Sequence, residues 1–173
     1  MFERDRLMER IGKRNDIAVE AYGFTPEGFP VRYKVDYYIR SICAVESPET
    51  LGKENAVNPP VFAEHFIMDI SIPPGYPAID SMPEFRFRTV SEKGEPIPHP
   101  WHPNIRWFGD FAGRVCMNFP DTYVELAWGV ERVARYLKYE LYHALNELPY
   151  PEDQTVAAWV IRQGEPYDWI YFN

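Results

Sequence analysis

Four short runs of alternating apolar and polar residues follow one another through the first half of the chain and constrain its fold more than any other feature. They cover residues 17–21, 33–39, 66–72 and 85–87. Alternation with a period of two places the apolar side chains on one face of an extended strand. Sequential strands of this kind form an antiparallel meander, whose apolar face is left for helices to cover. We therefore predict a four-stranded antiparallel meander, with a polar loop that ends at Pro59 and Pro60 between its second and third strands.

Two helices are predicted on either side of these strands. The first covers residues 2–11, and its buried side is formed by Phe2, Leu7, Met8 and Ile11. A longer helix is predicted over residues 128–146, where apolar residues recur at helical spacing and should cover the sheet. Glu131 and Arg135 lie one turn apart on its other face and are predicted to form an ion pair.

A last helix is predicted after two prolines that break the chain. Glu152 and Asp153 stand where acidic side chains suit a helix N-terminus, ahead of helical residues 156–161, and Gly164 with Pro166 ends the helix. The predicted fold class is therefore α+β, with an N-terminal helix, a four-stranded antiparallel meander and C-terminal helices.

Composition limits the function classes that such a fold can serve. At 173 residues, we expect a single domain over residues 1–173, with residues 163–173 as a C-terminal tail. A net charge of −8 argues against nucleic-acid binding, and no apolar run has membrane-spanning length. No signal peptide opens the chain, and Cys43 and Cys116 lack the spacing of a zinc site, so we expect a reducing, cytoplasmic setting, no membrane partner and no metal or cofactor. A disulfide between the two cysteines is the alternative.

The stretch from residue 99 to residue 116 is the candidate functional segment, and it reads HPWHPNIRWFGDFAGRVC. Its two His-Pro steps predict an ordered, non-helical loop that carries the side-chain amide of Asn104 and the thiol of Cys116. A thiolate attacks acyl groups, and a nearby amide N–H can stabilise the oxyanion that forms. The alternatives are that Cys116 fills the core between Val115 and Met117, and that Asn104 is a turn residue.

A family resemblance favours the chemical interpretation. Residues 102–105 (HPNI), followed by Cys116, resemble the active-site signature of the ubiquitin-conjugating enzymes, in which a His-Pro-Asn tripeptide shortly precedes the acceptor cysteine. Three further segments lie in the family's order, namely 70–77 (ISIPPGYP), 83–89 (PEFRFRT) and 149–153 (PYPED). Trp128 ahead of the long helix does so too. The resemblance covers roughly residues 1–162 and implies the fold of that family.

The resemblance also implies roles for the site residues. Cys116 would accept the C-terminal acyl group of a ubiquitin-like protein as a thioester, which a substrate amine would then attack. Asn104 would donate to the oxyanion or brace the loop. Asp153, with Glu152, would orient the incoming lysine and help remove its proton, with a helix cap as the alternative. The supporting residues of the loop are His102, Pro103, Glu152 and Trp128. In the family the histidine of the tripeptide is structural, so neither His102 nor His99 is assigned as a base.

The first helix is a candidate for partner contact. Its basic residues are Arg4, Arg6, Arg10, Lys13 and Arg14. In the family that the chain resembles, a basic first helix docks on the activating enzyme, and a solvated helix face is the alternative.

The chain also departs from the family's pattern. Twelve positions separate Asn104 from Cys116, which is more than usual, so residues 107–112 are interpreted as an insertion that bulges outward if the amide is to reach the thiol. Ala78 and the Gly129-Val130 pair replace residues of ligase-docking loops, which argues against a RING-type ligase. Residues 136–142 (YLKYELY) are similar to divergent conjugating enzymes of bacterial anti-phage operons. Some of those act with a ubiquitin-like protein and others on the C-terminus of a cGAS-like nucleotidyltransferase.

Two rival functions stay open at this point. A non-catalytic variant would only bind a ubiquitin-like protein or a cGAS-like partner, although the presence of Cys116 argues against it. A thiol hydrolase would need a base beside the sulfur, which no motif in the sequence supplies. The aromatic tail over residues 167–172 (YDWIYF) is predicted to pack on the domain or on a partner.

Overall fold

The computed structural model describes residues 2–78, 81–117 and 125–163, and for Phe2 the backbone only. The helices in this part of the chain are α1 (Phe2–Ile11), α2 (Leu126–Leu137) and α3 (Gln154–Gln163). The strands are β1 (Ile17–Phe24), β2 (Pro30–Tyr37), β3 (Ser41–Val45), β4 (Pro60–Ala63), β5 (Phe66–Ser71) and β6 (Glu84–Phe87). A single 3₁₀ turn over Pro48–Thr50 lies between β3 and β4.

The main sheet has four antiparallel strands in the order β1-β2-β5-β6. In its register Val35 lies opposite Val19 on one side and Met68 on the other, and Ile70 lies opposite Phe85. The apolar residues of each strand therefore share one face, which the first helix and α2 cover. The predicted α+β class and its four-stranded antiparallel sheet are confirmed.

A second, two-stranded sheet of β3 and β4 replaces part of the predicted polar loop. Neither strand has the long alternation that marks the main sheet, because β3 is short and β4 begins at Pro60. Burial of Ile42 and Val45 under the last helix stabilises β3 instead. The prediction of a loop was wrong here because a non-local contact outweighed a weak local pattern.

The first helix has the predicted bounds, but one of its side chains faces the solvent. Leu7 and Ile11, one turn apart, are fully buried, whereas Met8 is 46% exposed. The buried stripe is narrower than predicted, because residues at i and i+4 share a helix face and a residue at i+1 turns away from it. The side chain of Phe2 lies outside the described residues.

The second helix ends at Leu137, nine residues before its predicted end at Asn146. Tyr139 has a φ of 54°, a left-handed conformation that a helix does not continue. Its ring is buried and its hydroxyl donates to the carbonyl of Trp101. The predicted Glu131–Arg135 pair is also wrong, because Glu131 pairs with Arg10 of α1 and Arg135 with Glu140.

Asp153 caps the third helix. Its Oδ1 accepts hydrogen bonds from the amides of Thr155 at 3.1 Å and Val156 at 3.2 Å, which confirms the helix-cap alternative for this residue. The described chain ends at Gln163, so the predicted stop at Gly164 and Pro166 and the tail over residues 167–172 lie outside the described residues.

Two apolar clusters form the interior, and the candidate loop joins them. The main core lies between the sheet, α1 and α2, and it includes Ile105 of the candidate loop (residues 99–116) and Met117, the residue that follows the loop. The second core lies between β3 and α3, and its buried members are Ile42, Val45, Trp101, Tyr139, Ala144, Val156, Ala157, Trp159 and Val160. The candidate loop is therefore anchored in both cores. No helix within the described ranges is long and apolar enough to cross a membrane.

Candidate active site

The segment between Asn104 and Cys116 is a hairpin that brings its two ends together. The amide of Arg106 donates to the carbonyl of Arg114 at 2.9 Å, and Gly113 donates to Arg106 at 2.7 Å. The amide of Cys116 then donates to the carbonyl of Asn104 at 2.9 Å. We call residues 106–114 the insertion hairpin and the Asn104–Cys116 pair the site rung. The insertion therefore leaves the amide and thiol residues side by side on neighbouring arms.

The return arm of the insertion hairpin continues the main sheet. Val115 donates to the carbonyl of Phe85 at 3.0 Å, and Phe87 donates to the carbonyl of Gly113 at 2.8 Å. Gly113 has a φ of 90°, and a Cβ there would lie 2.1 Å from the carbonyl oxygen of Phe87. A glycine is therefore required where the arm meets β6.

Cys116 is a partly exposed cysteine with no disulfide to Cys43, although both of its neighbours pack inward. Met117 is 1% exposed, and Val115 packs against the main core. Within the described residues, Cys116 belongs to neither core cluster. Its carbonyl accepts a hydrogen bond from the hydroxyl of Tyr136 at 3.2 Å. Cys116 is therefore a partly exposed residue between two inward-packed neighbours.

The side chain of Asn104 braces the loop and is almost fully buried, with 2% of it exposed. Its Oδ1 accepts a hydrogen bond from the amide of His143 at 2.9 Å. A backbone N–H can only donate, so this contact fixes the orientation of the side-chain amide. The Nδ2 group is then the part of the side chain that has protons to donate to an oxyanion.

His102 is a structural residue and not a base. Its Nε2 donates to the carbonyl of Leu141 at 2.9 Å, and its Nδ1 accepts the amide hydrogen of Asn104 at 3.1 Å. The ring stacks on Tyr136 with centroids 4.7 Å apart. Burial lowers the pKa of His102 to about 3, so the imidazole is neutral at physiological pH.

His99 is likewise held in place by its neighbour in the loop. Its ring stacks on Trp107 with centroids 5.1 Å apart, and its Nε2 donates to the carbonyl of Trp107 at 3.2 Å. Burial lowers the pKa of His99 as well. The contacts of both histidines are those of loop supports.

Asp153 joins the third helix to the insertion hairpin. While its Oδ1 caps α3, its Oδ2 accepts the amides of Trp107 at 2.9 Å and Phe108 at 3.3 Å. Its own amide donates to the carbonyl of Pro103 at 3.0 Å, and only 3% of the residue is exposed. These are the contacts of a cap and a brace, and the role of Asp153 in orienting a lysine stays a prediction.

Glu152 contacts both arms of the insertion hairpin. Its Oε1 lies 2.8 Å from Nε of Arg114 and 3.4 Å from Nε of Arg106. Only 13% of its side chain is exposed. The carboxylate therefore sits between two guanidinium groups at the base of the hairpin.

The remaining predicted residues are Trp128 and the basic residues near the N-terminus, which belong to other elements than the insertion hairpin. Trp128 is half-buried on α2, with the guanidinium of Arg132 5.1 Å above its ring. Of the five basic residues near the N-terminus, Arg10 pairs with Glu125 and Glu131, and Arg14 pairs with Asp16. Arg4, Arg6, Arg10 and Lys13 are exposed, and Arg14 is half-buried. Among the described residues, no three His, Cys, Asp or Glu side chains are grouped to hold a metal ion.

Four residues that contact the loop were missed by the sequence analysis, namely Arg106, Arg114, Tyr136 and His143. His143 reaches it because the second helix ends early and the chain folds back over the His-Pro-Asn segment, whereas Tyr136 lies in the last turn of α2. The two arginines flank the insertion of residues 107–112, and their signal was available, since like charges that face each other across a hairpin require a counter-charge.

The chain was compared with protein-family models, curated proteins and solved structures, and only solved structures gave a match. No protein-family model matches the sequence. No curated protein matches it either. Among solved structures, the chain is similar to human ubiquitin-conjugating enzyme E2 G1, with 18% identity and a TM-score of 0.40 over 78% of this chain and 87% of that chain. The likeness concerns overall architecture alone, and the residue roles rest on the contacts above.

Proposed function

We propose that this protein is a ubiquitin-conjugating-type acyltransferase that carries the C-terminus of a ubiquitin-like protein as a thioester on Cys116. The observation that carries this proposal is the site rung. Despite an insertion of unusual length, the backbone places Cys116 directly beside Asn104, with the cysteine partly exposed and outside both cores. A cysteine that served only as core filling would have no need of this position.

The first step of the reaction is an exchange of thioesters. The thiolate of Cys116 attacks the carbonyl carbon of an activated modifier, a new C–S bond forms, and the donor leaves as a thiolate. The carbonyl oxygen is negatively charged in the intermediate. Asn104, whose Oδ1 is held by His143, would offer Nδ2 to that oxygen or would simply keep the loop rigid.

The second step transfers the modifier to an amine. The amine nitrogen attacks the thioester carbonyl, an amide bond forms, Cys116 leaves as a thiolate, and the amine's proton passes to a base or to water. Asp153 would serve this step by positioning, because its carboxylate oxygens already accept four backbone amides. Pro103 and His102 would hold the backbone of the same loop in place.

The partners follow from the proposed reaction. A ubiquitin-like protein, or the C-terminus of a cGAS-like nucleotidyltransferase, would supply the acyl group, and an activating enzyme would load it. The basic residues of the N-terminal segment are the proposed contact for that enzyme, namely Arg4, Arg6, Arg10, Lys13 and Arg14. The likeness of residues 136–142 to anti-phage enzymes supports a bacterial antiviral setting and a cytoplasmic location.

The test is adduct formation on a non-reducing denaturing gel. A ubiquitin-like protein activated as the C-terminal thioester of a small thiol is mixed with the purified protein, which bypasses the activating enzyme. We expect an adduct that dithiothreitol removes. Cys116→Ala should form none, and Cys116→Ser should form a weaker oxyester band that resists dithiothreitol.

The matched control is Cys43→Ala, which should load like the unaltered protein. An adduct that survives in Cys116→Ala would contradict the proposal. A noncovalent complex that forms equally with Cys116→Ala, with no adduct in any variant, would identify the protein as a binding module instead.

A further inference from the structure

Two arginines face each other beside the site rung. The amide of Arg106 donates to the carbonyl of Arg114 across the hairpin base, and we call this pair the arginine rung. The bridge between Ile105 and Val115 lies between the arginine rung and the site rung, so the arginine rung is one residue pair away from the hydrogen bond of Cys116.

Like charges that lie directly opposite on paired strands destabilise the pairing. The side chains of Arg106 and Arg114 are 36% and 41% exposed, so water screens their repulsion only in part. One carboxylate contacts both arginines and offsets part of their charge: Oε1 of Glu152 lies 2.7 Å from Nη2 of Arg114 and 3.4 Å from Nε of Arg106. The counter-charge comes from just before α3 and not from the hairpin itself.

We propose that Glu152 is a positioning residue for the site rung. By offsetting one of the two positive charges of the arginine rung, its carboxylate keeps the hairpin base closed and holds the hydrogen bond from Cys116 to Asn104. This inference rests on the proposed function only for the reason why the site rung matters. The hydrogen bond from Cys116 to Asn104 is itself measured on the protein without any modifier. The proposal can therefore fail while thioester formation succeeds, or hold while thioester formation fails.

The neighbouring residue anchors a different part of the hairpin. Asp153 holds the turn side through the amides of Trp107 and Phe108, and these bonds do not depend on charge at the arginine rung. Loss of Glu152 should therefore open the base of the hairpin without releasing its turn. A carboxylate that acted only in proton transfer, without holding the hairpin, would leave the backbone hydrogen bonds of the free protein unchanged when it is replaced.

The decisive feature is rescue by removal of an arginine. Glu152→Gln keeps the shape of the side chain but leaves two facing cations, whereas Arg114→Gln combined with Glu152→Gln leaves one. Hydrogen–deuterium exchange of the Cys116 amide, followed by NMR, reports directly on the site rung. We expect exchange about fivefold faster in Glu152→Gln, and within about twofold of the unaltered protein in the double variant.

Asp16→Asn is the matched control, since Asp16 is also a partly buried carboxylate between two cations, Arg14 and Lys138. It should leave the Cys116 amide unchanged. Unchanged exchange in Glu152→Gln, or a double variant as fast as the single one, would overturn the proposal. If Glu152→Gln alone does not fold, the double variant must fold for the proposal to stand, and failure of both would overturn it.

Discussion

The two cysteines of this chain occupy contrasting environments. Both are partly exposed, so exposure alone does not distinguish them. Cys43 packs against the main core from β3, and burial raises the pKa of its thiol. Cys116 lies outside both cores, at the end of a hairpin arm and beside an anchored amide. The two thiols therefore differ in the contacts that surround them and not in their exposure, and each prediction below removes or measures one of those contacts.

The largest effect is expected from the glycine that lets the return arm meet the sheet. Gly113→Ala forces a Cβ toward the carbonyl of Phe87 at a φ of 90°, and backbone cannot yield there. We expect a loss of about 3 kcal/mol in the free energy of unfolding, measured by urea denaturation. The matched control is Gly109→Ala at the hairpin turn, where φ is 78° and an added Cβ would have no heavy atom within 4 Å apart from its chain neighbours. It should cost only about 1 kcal/mol, and equal losses would contradict this account.

The next effect is a dependence of stability on pH. His102 has a folded pKa of about 3 against its usual 6.5, so below pH 6.5 the unfolded chain binds a proton that the folded chain does not. Stability is therefore full above pH 6.5 and falls as the pH is lowered toward the folded pKa. Between pH 6.5 and pH 5 we expect a loss of about 2 kcal/mol in the free energy of unfolding.

The matched variant for the pH effect is His102→Gln, which should flatten that slope. It should not abolish the slope, because burial lowers the pKa of His99 in the same direction. A stability that stays constant between pH 6.5 and pH 5 in the unaltered protein would show that His102 is not buried as a neutral ring.

A smaller effect is expected from the brace that joins α3 to the insertion hairpin. Asp153→Asn replaces charge-assisted acceptors by one neutral oxygen and an NH₂ group that faces backbone donors. We expect a loss of about 1–2 kcal/mol in the free energy of unfolding by urea denaturation. Asp110→Asn, at the exposed tip of the same hairpin, is the control and should change it by less than about 0.5 kcal/mol. An unchanged free energy of unfolding in Asp153→Asn would show that Asp153 does not brace the hairpin.

The smallest effect is the difference in reactivity between the two thiols. With iodoacetamide at pH 8, Cys116 should be alkylated about tenfold faster than Cys43, because a raised pKa leaves Cys43 less thiolate. Peptide mass spectrometry separates the two sites. In concentrated urea the two rates should converge, and equal rates in the folded protein would contradict the contrast.

The main sheet and α1 could be predicted because their patterns are local. The alternation in β2 and β5 and the spacing of Leu7 and Ile11 are set by neighbours along the chain. The end of α2 at Leu137 could not be predicted, because it depends on burial of Tyr139 against Trp101, far away in sequence. The second sheet was missed for the same reason.

The candidate site was predictable in its residues but not in its contacts. The His-Pro-Asn tripeptide and Cys116 came from a family resemblance, and the structure places them on neighbouring arms. The tie between Asp153 and the amides of Trp107 and Phe108 is formed across the fold by an insertion, and no local pattern encodes it. Sequence therefore suggested which groups could react, while packing determined which of them are braces.

The most direct test of the central claim is the location of the acyl group on the unaltered protein. After reaction with an activated ubiquitin-like protein, the adduct is digested with pepsin at low pH, where thioesters persist, and the modified peptide is identified by mass spectrometry. The account predicts that the modifier's C-terminus is on Cys116 and that the Cys43 peptide is unmodified. A modifier on Cys43 or on a lysine, or no modified peptide at all, would contradict it.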